Sequence, residues 1–434
     1  MIRSLVVPAL AVLLLPGLGR GDVSSVAWAE EDDWPQWRGT NRDGAWNEKG
    51  ILESFPASGL EVRWRAPVGV GFSTPVISGG HVFVTDSLLE KPTARERVHC
   101  FDEATGKPLW SFSHEVAYPD WAFSEPNRKG PNATPIVHDR KLYTLGGIGH
   151  LFCLDVVSGA VSWQRDLQKD FPEAELGCTP SPLIEGDLLI LCIGAKPAAT
   201  VIAVDRNSGK EAWKALAEKG AYSSPICITA GGARQLIVWT TESVTSLDPA
   251  AGTVLWREEL STGTDYAVST PVRHGDLLLI GGLMLKLDPD KPAATVLWPE
   301  KGAAQKKVLS STSTALILGD HLYSGRSSGE LVCLDLRTGG QVWKSNRVTD
   351  LKSGACLHLT PNGGSVLIST ERGELIRARL TPEGYEEISR AAILAPTYPF
   401  AGRKCVWSPA SFANRHVFAR NDAELVCVSL AAKP

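Results

Sequence analysis

The sequence predicts an all-β fold, namely an eight-bladed β-propeller of four-stranded antiparallel blades. Three observations support this expectation: a composition rich in turn formers, a repeated Asp-Gly-Trp spacing, and short β-rich runs before each repeat. The 434 residues include 41 Gly and 28 Pro, which punctuate turns and weaken helix interiors. This composition disfavours a helical bundle.

The charge distribution disfavours one class of function at once. The formal net charge is -4, and no run of Lys and Arg is longer than two residues. A protein that binds the nucleic-acid backbone needs a concentrated basic face. We therefore expect no nucleic-acid partner.

The main repeat is an Asp followed four residues later by Gly and eight residues later by Trp. Five copies keep this spacing, and a sixth, from Asp288 to Trp298, carries a two-residue insertion. The regular copies are Asp102/Gly106/Trp110, Asp155/Gly159/Trp163, Asp205/Gly209/Trp213, Asp248/Gly252/Trp256 and Asp335/Gly339/Trp343. A β-rich run precedes each Asp, and such a run reads as a strand.

The Asp-x-x-x-Gly segment fits the turn between the third and fourth strands of a blade, because Asp bonds its own backbone and Gly accepts a positive φ. The Trp then lies on the outermost strand and can wedge against the next sheet, provided that its N–H finds a partner. The tryptophans to which we assign this structural role are Trp64, Trp110, Trp163, Trp213, Trp256, Trp298 and Trp343. From Trp110 onward they are 42 to 53 residues apart, the size of a propeller blade.

Each unit also contains a Ser/Thr-Pro pair that opens another apolar run. The pairs are Thr74-Pro75, Thr134-Pro135, Ser181-Pro182, Ser224-Pro225, Thr270-Pro271 and Ser408-Pro409. Proline is tolerated at the first residue of a strand, where its missing N–H is not needed. We therefore expect four strands per unit.

The two ends of the chain complete the count of blades. Residues 365–389 read as strands of a seventh blade, and residues 408–430 supply only three strands of an eighth. Residues 60–67, which contain Trp64, can supply the fourth and so close the ring. The expected domains are a signal peptide at 1–29, an N-terminal extension at 30–59 and the propeller at 60–431.

The first residues predict export. A basic start at Arg3 and an apolar stretch from Leu5 to Leu15 precede the small-x-small pattern Ala27-Trp28-Ala29, as in a secretory signal peptide. The stretch is shorter than the roughly 20 residues that span a bilayer. We expect cleavage near Ala29 and a periplasmic or secreted protein without a transmembrane segment, the alternative being a retained membrane anchor.

The segments from Cys100 to Trp110, Cys153 to Trp163, Ala203 to Trp213 and Cys333 to Trp343 share the signature Ala/Cys-x-Asp-x-x-Thr/Ser-Gly-x-x-x-Trp. This signature resembles the pyrroloquinoline-quinone-type β-propeller repeat, over about residues 60 to 431. The family includes quinone-dependent alcohol and sugar dehydrogenases and non-catalytic scaffolds of the outer-membrane protein assembly factor type, to which the chain is similar. The opening motif of residues 34–39, Trp-Pro-Gln-Trp-Arg-Gly, looks like one found in many exported members.

The resemblance implies that a dehydrogenase would carry two adjacent cysteines against the quinone and a calcium ion held by carboxylate and amide groups. No two of the nine cysteines are adjacent here, and Cys-x-x-Cys-His for covalent haem is absent. The sequence also lacks Gly-x-Ser-x-Gly, His-Glu-x-x-His and a phosphate-binding Gly-rich loop. We expect no catalytic residue, no metal and no cofactor, with pyrroloquinoline quinone and calcium as the alternative.

The cysteines and histidines have structural explanations. Cys100, Cys153, Cys333 and Cys427 share one register of the repeat, where other blades carry Ala or Ser. Packed sheets lie about 10 Å apart, too far for a disulfide, so we expect these four thiols to be free. The histidines at the turn between the first two strands read as turn residues: His81, His138, His274, His321 and His416.

Propellers bind through loops at their faces and through the mouth of the channel. Three irregular inserts are candidates: residues 113–132, residues 395–407 and the segment around residue 265. Their aromatic, Arg and acidic side chains suit binding at low entropic cost, the alternative being that they pack the loops on the scaffold. The candidate residues are Tyr118, Asp120, Trp121, Phe123, Arg128, Asp265, Tyr266, Tyr398, Arg403 and Trp407.

The sequence therefore favours an exported, non-catalytic β-propeller scaffold, a monomer that binds a protein or an envelope component. The alternative is a quinone-dependent alcohol or sugar dehydrogenase, which repeat resemblance alone motivates. A third interpretation is a polysaccharide or small-ligand binder that uses the aromatic loops.

Overall fold

The computed structural model describes residues 32–125, 127–128, 130–171, 180–195, 198–261, 267–299, 309–310 and 312–432. Within these ranges the chain forms eight four-stranded antiparallel sheets arranged as a ring, and one separate two-stranded hairpin. The predicted eight-bladed propeller is confirmed. No helix in the described part of the chain is long and apolar enough to cross a membrane.

The strands follow one another outward within each blade, from the channel to the rim. The first strand of the chain, β1 (Val62–Pro67), is the exception and is described below with the last blade. Blades 1 to 4 consist of β2 (Val76–Ser78), β3 (His81–Glu90), β4 (Thr93–Asp102), β5 (Pro108–Val116); β6 (Ile136–His138), β7 (Lys141–Leu145), β8 (His150–Asp155), β9 (Val161–Asp166); β10 (Leu183–Glu185), β11 (Leu188–Ala195), β12 (Ala199–Asp205), β13 (Glu211–Ala215); β14 (Ile226–Ala230), β15 (Ala233–Trp239), β16 (Ser243–Leu247) and β17 (Val254–Glu259).

Blades 5 to 8 repeat this plan, and a hairpin precedes the last of them. They consist of β18 (Val272–His274), β19 (Leu277–Ile280), β20 (Leu283–Leu287), β21 (Ala294–Trp298); β22 (Leu316–Leu318), β23 (His321–Gly325), β24 (Leu331–Asp335), β25 (Gln341–Ser345); β26 (Leu357–Asn362), β27 (Ser365–Thr370), β28 (Glu374–Thr381), β29 (Gly384–Ala392); the hairpin β30 (Tyr398–Phe400) and β31 (Arg403–Cys405); and β32 (Ser411–Ala413), β33 (His416–Arg420) and β34 (Glu424–Ser429). A 3-10 turn spans Asp120–Phe123, and a one-turn helix, α1, spans Leu167–Asp170.

The last sheet combines strands from both ends of the chain. Its order is β1-β34-β33-β32, so β1 is the outer strand beside β34. Trp64 lies opposite Cys427, and Arg65 lies opposite Val426. The Ser411 hydroxyl donates to the carbonyl of Pro75 in blade 1 at 2.6 Å, which links the last blade to the first.

The repeated tryptophans join neighbouring blades as the sequence predicts. Each Gly of the repeat has a positive φ and lies under the indole of the preceding blade, where a Cβ atom on Gly106 would come within 2.5 Å of Trp64. Six indole N–H groups donate to a backbone carbonyl of the next blade at 2.7 to 3.0 Å. These pairs are Trp64 to Glu103, Trp110 to Val156, Trp163 to Arg206, Trp213 to Pro249, Trp298 to Leu336 and Trp343 to Thr381.

Trp256 is the exception among these tryptophans. It faces blade 5, whose repeat carries the two-residue insertion, and its indole N–H donates to Gln235 of its own blade at 2.7 Å. The ring still packs against the apolar cluster shared with blade 5. Where the spacing after Asp288 is altered, the indole of Trp256 therefore makes no hydrogen bond to the next blade, but its apolar contact with that blade remains.

The small residues before each repeat Asp lie opposite these tryptophans. Cys100 pairs with Trp110 across β4 and β5, Cys153 pairs with Trp163, and Cys333 pairs with Trp343. A small side chain is required because the indole occupies the space next to it. Cys100, Cys153, Cys333 and Cys427 are all free and buried, which confirms that they do not pair.

The Ser and Thr residues of the Ser/Thr-Pro pairs form hydrogen bonds around the channel. The backbone N–H of one residue donates to the hydroxyl of the equivalent residue in the next blade. The 3.0 Å bonds of this type run from Thr74 to Thr134, Thr134 to Ser181, Ser181 to Ser224 and Thr270 to Thr314. The sequence explained why a proline opens each first strand. The structure also explains why Ser or Thr precedes it, since the hydroxyl accepts a hydrogen bond from the neighbouring blade.

Candidate functional site

The two ends of the propeller differ in their connections. Because the strands alternate in direction, the turns after the first and third strands of each blade lie at one end, here called the turn end. The turns after the second strand and the connections between blades lie at the other, the loop end. The predicted inserts at residues 113–132 and 395–407 both connect blades, so both lie at the loop end.

The first insert is fixed to blade 1 by a buried glutamate. Strands β3 and β4 are ten residues long and extend past their counterparts in blade 2. Glu96 on β4 is 2% exposed. Its carboxylate accepts hydrogen bonds from the Tyr118 hydroxyl and, at 2.8 Å, from the backbone N–H of Gly147. Burial, with the charge of Glu96, raises the pKa of Tyr118, so Tyr118 is an anchor within the fold.

The 3-10 turn that follows presents one aromatic side chain to solvent. Ala122 is fully buried, whereas Trp121 is 53% exposed. Phe123 is half-buried and packs against the apolar cluster beneath the turn. The Asp120 carboxylate is exposed and lies 3.6 Å from the ammonium of Lys91. The turn therefore holds Trp121 outward on a packed base.

Arg128 lies near the end of this insert. Its guanidinium lies 3.1 Å from the carboxylate of Glu125, and its charge acts on Asp422 of the last blade. Burial nevertheless raises the pKa of the Asp422 carboxyl above its ordinary value. Arg128 thus contributes to the contact between the insert and blade 8.

The second insert contains the hairpin β30–β31, and a second buried glutamate holds it. Glu371 is fully buried. Its carboxylate accepts from the Arg403 guanidinium at 3.0 Å, the Thr349 hydroxyl at 2.7 Å and the Cys356 backbone N–H at 3.1 Å. Arg403 also donates to the carbonyl of Ser353 at 3.0 Å. The positive charge of Arg403 is therefore paired with Glu371 inside the protein.

The aromatic residues of the same hairpin form a partly exposed group. Phe400 is 36% exposed, and its ring meets Trp407 edge-on at a centroid distance of 5.0 Å. Tyr398 meets Phe72 edge-on at 5.2 Å. Leu351, 52% exposed, precedes Gly354, over which the Phe400 ring lies. These apolar side chains form a surface above blades 6 to 8.

A third buried glutamate anchors the connection between blades 3 and 4. Glu218 accepts hydrogen bonds from the hydroxyls of Thr240 and Ser243 and from the Arg257 guanidinium, the last at 2.8 Å. Although burial acts in the opposite direction, these donors hold its pKa below the ordinary value. Sequence reasoning missed all three anchoring glutamates, because no local pattern distinguishes them from surface glutamates.

The third predicted site cannot be placed. Asp265 and Tyr266 lie outside the described residues, as does the predicted signal peptide at 1–29. Of the other candidates, Trp121 is open to solvent, Tyr398 and Trp407 are half-buried beside Phe400, and Tyr118 and Arg403 are occupied by internal partners. Tyr118 and Arg403 therefore pack the inserts on the scaffold, whereas Trp121 and Phe400 expose aromatic surface.

The channel contains a feature that the sequence did not reveal. Residues 34–46, here called the channel segment, cross it from the turn end and bond to the first strands or to the residues just before them. Trp34 pairs with Ile77 of blade 1. The remaining bonds are Val137 N–H to the Pro35 carbonyl at 2.9 Å, Trp37 indole to the Thr270 hydroxyl at 2.8 Å, Arg42 to the Pro182 carbonyl at 2.8 Å and Trp46 N–H to the Pro361 carbonyl at 3.0 Å.

Residues after the channel segment continue along blades 7 and 8. The Leu52 N–H donates to the Leu430 carbonyl at 2.8 Å, and the Phe55 N–H donates to the Ser389 hydroxyl at 2.9 Å. The stretch assigned from sequence as an N-terminal extension thus contributes to the core of the ring. Trp34 and Trp46 both contact Phe412 on β32.

The dehydrogenase alternative would require a calcium ion held by carboxylate and amide groups, and two adjacent cysteines against the quinone. Within the described ranges, no group of three or more His, Cys, Asp or Glu side chains could hold a metal ion. The three anchoring glutamates already bind donors of the protein itself. The eight described cysteines are free, so no disulfide ring forms among them.

These features define the class: an eight-bladed β-propeller built from Asp-Gly-Trp repeats, with long anchored loops at one end. The sequence model of the family described as outer membrane protein assembly factor BamB matches residues 94–284 and 197–431. The chain belongs to this family.

Individual relatives are distant in sequence. The outer membrane protein assembly factor BamB of Shewanella oneidensis is 22% identical over 284 residues, which cover 58% of this chain and 70% of that protein. The crystal structure of BamB from Moraxella catarrhalis is 16% identical, with a TM-score of 0.54 and coverage of 89% of this chain and 97% of that chain. Quinohemoprotein alcohol dehydrogenase from Comamonas testosteroni is 13% identical, with a TM-score of 0.63 and coverage of 93% and 81%. At these identities the structural likeness shows the fold alone.

Proposed function

We propose that this chain is an exported, non-catalytic scaffold of the cell envelope that binds a protein partner of outer-membrane assembly through its loop end. Membership of the BamB family supports a role in outer-membrane protein assembly. The observation that carries the binding surface is the exposure of Trp121 at 53%, Leu351 at 52% and Phe400 at 36% on loops that buried glutamates hold in place. Exposed aromatic side chains on preorganised loops supply binding area at low entropic cost.

The charged residues of these loops have a supporting role in this proposal. Arg403 and Tyr118 hold the loops in shape through Glu371 and Glu96, while the neighbouring aromatics contact the partner. Polar groups that are satisfied internally need not be desolvated at an interface, whereas buried apolar area stabilises a complex by roughly 25 cal/mol per Å² before other costs.

Site-specific photo-crosslinking in cells tests the surface. A photoreactive amino acid replaces Trp121, Phe400 or, as a control, Val342, which is 45% exposed on the outer strand of blade 6. We expect the first two positions to crosslink to the same envelope protein and the Val342 position to give no such product. Equal crosslinking from all three positions, or crosslinks to polysaccharide only, would contradict the proposal.

A loss-of-function assay tests the process. In cells that lack the chromosomal copy, the double variant Trp121→Ala, Phe400→Ala should be folded and exported but should restore outer-membrane protein levels poorly. The Val342→Ala variant should restore them fully. Full restoration by the double variant would place the partner surface elsewhere.

The dehydrogenase alternative rests on the fold alone. Its test is reduction of an artificial electron acceptor by the purified protein with pyrroloquinoline quinone, calcium and a panel of alcohols and sugars. Turnover that depends on both additions would overturn the non-catalytic proposal, and we expect none.

A further inference from the structure

Arg42 of the channel segment is buried, and no acidic side chain among the described residues pairs with it. The side chain is 5% exposed. One terminal nitrogen donates to the Gln36 side-chain oxygen at 3.2 Å and to the Pro182 carbonyl at 2.8 Å, and the other donates to the Ser181 carbonyl at 3.3 Å. The Nε atom is buried and finds no hydrogen-bond partner in the described part of the chain. All acceptors of this guanidinium are neutral.

Arg38 lies next to Arg42 and has the same kind of partners. Its Nε donates to the Arg42 carbonyl at 3.4 Å, and one terminal nitrogen donates to the Asp43 carbonyl at 2.6 Å. Each guanidinium carries five N–H donors, so both retain unused donors. Within the described residues, neither arginine forms an ion pair; the Asp43 carboxylate instead accepts from the Ala45 N–H at 2.9 Å.

His358, on the channel-lining strand β26, completes the group. Its Nε2 is buried without a partner. Burial and the positive charge of Arg38 lower its pKa to about 4, and burial lowers the pKa of Arg38 and of Arg42 to about 10. Arg38 and His358 are both half-buried.

A buried guanidinium that has no counter-ion among the described residues and lies next to a second guanidinium is unfavourable in a medium of low dielectric constant. Guanidinium groups bind carboxylate and phosphate oxygens with two parallel hydrogen bonds. The ring of Ser and Thr hydroxyls adds neutral donors at the same level of the channel, since Arg42 contacts the Ser181 carbonyl and Trp37 contacts the Thr270 hydroxyl.

We propose that the channel binds a small oxyanion, a carboxylate or a phosphate, between Arg38, Arg42 and His358. The anion accepts hydrogen bonds from the unused N–H groups of the two guanidinium groups, and the neutral His358 ring lies beside them. This site lies in the channel, where His358 bonds to the backbone of Trp407, and binding of the anion does not require the proposed protein partner.

Isothermal titration calorimetry of the purified protein tests the site. Inorganic phosphate and succinate are titrated separately at constant ionic strength in chloride, so that the two chemical sources are distinguished. We expect saturable binding of at least one of them, and a thermal-unfolding midpoint that rises with its concentration. Heat and midpoint changes that do not exceed those of chloride would overturn the proposal.

Variants locate the binding. Arg38→Gln should weaken the affinity at least tenfold, whereas Arg63→Gln, a control on the outer strand β1 with a side chain 48% exposed, should leave it unchanged. Arg42→Gln should abolish binding, but it also removes bonds to the ring and can unfold the protein. Arg38→Gln therefore decides the question, and equal affinity of the Arg38 and Arg63 variants would place the anion elsewhere.

Discussion

The two ends of this propeller achieve rigidity by different means. At the turn end, Trp34 and Trp46 of the channel segment bond to the first strands of blades 1 and 7 and pack on Phe412. At the loop end, three connections are held by the buried carboxylates of Glu96, Glu218 and Glu371, and apolar side chains such as Trp121 face solvent. The comparison separates residues that hold the ring together from residues that are available for binding.

The largest expected difference between the ends is in two tryptophans. Trp46→Ala at the turn end removes an indole that is 3% exposed, and we expect it to lower the free energy of unfolding by about 3–5 kcal/mol. Trp121→Ala at the loop end should change it by no more than about 0.5 kcal/mol. Denaturant unfolding of both variants measures this, and similar losses would erase the distinction.

The next effect concerns the carboxylates. Glu371→Gln leaves Arg403 without its buried partner, and we expect a loss of about 3 kcal/mol. The matched control is Glu115→Gln on β5, whose carboxylate is 72% exposed and pairs with Arg95 at 2.8 Å; exposed pairs contribute up to about 1 kcal/mol. A double-mutant cycle of Glu371 with Arg403 should show coupling, and additive losses would refute the anchoring role.

A smaller effect is a pH dependence that arises in the channel. Burial and then the charge of Arg38 lower the pKa of His358 to about 4 in the folded protein, against about 6.5 in an unfolded chain. The unfolded state therefore binds more protons between these values, so stability should fall as the pH falls from about 6.5 to 4. His358→Gln should flatten this part of the profile, measured in chloride buffer, and an unchanged slope would contradict the assignment.

The smallest effect concerns the repeat turns. The Asp335 carboxylate accepts from the N–H and the hydroxyl of Thr338 at 2.8 and 2.6 Å, and these bonds hold its pKa below the ordinary value. Asp335→Ala should lower the free energy of unfolding by about 1 kcal/mol. Thermal unfolding measures this change. A loss as large as that of Trp46→Ala would mean that a single repeat turn contributes as much to stability as the packing of the channel segment.

The fold could be predicted because its determinants repeat locally. Asp, Gly and Trp of one repeat lie within eight residues, and each makes a turn or a contact that recurs in the next blade. The same reasoning explains why Cys153 and Ser246 share a register, since each lies opposite a tryptophan. The exception at Trp256 coincides with the insertion that breaks the pattern.

The site could be predicted only in part, because its contacts join residues that are distant in the chain. The sequence identified both inserts correctly as loops rich in aromatics. It could not show that Arg403 meets Glu371, 32 residues away, or that Tyr118 meets Glu96, 22 residues away. The path of the channel segment could not be predicted for the same reason, since Trp37 bonds to Thr270, 233 residues away in the chain.

Amide hydrogen exchange of the purified protein tests most directly whether residues 34–52 are locked into the ring while the loop around Trp121 is open to solvent. The N–H groups of Trp34, Trp46 and Leu52 donate to carbonyls of the ring at 3.0, 3.0 and 2.8 Å. They should therefore exchange as slowly as the first strands of the blades, and far more slowly than the 3-10 turn around Trp121. Exchange of residues 34–52 at the rate of an unstructured peptide would contradict the account.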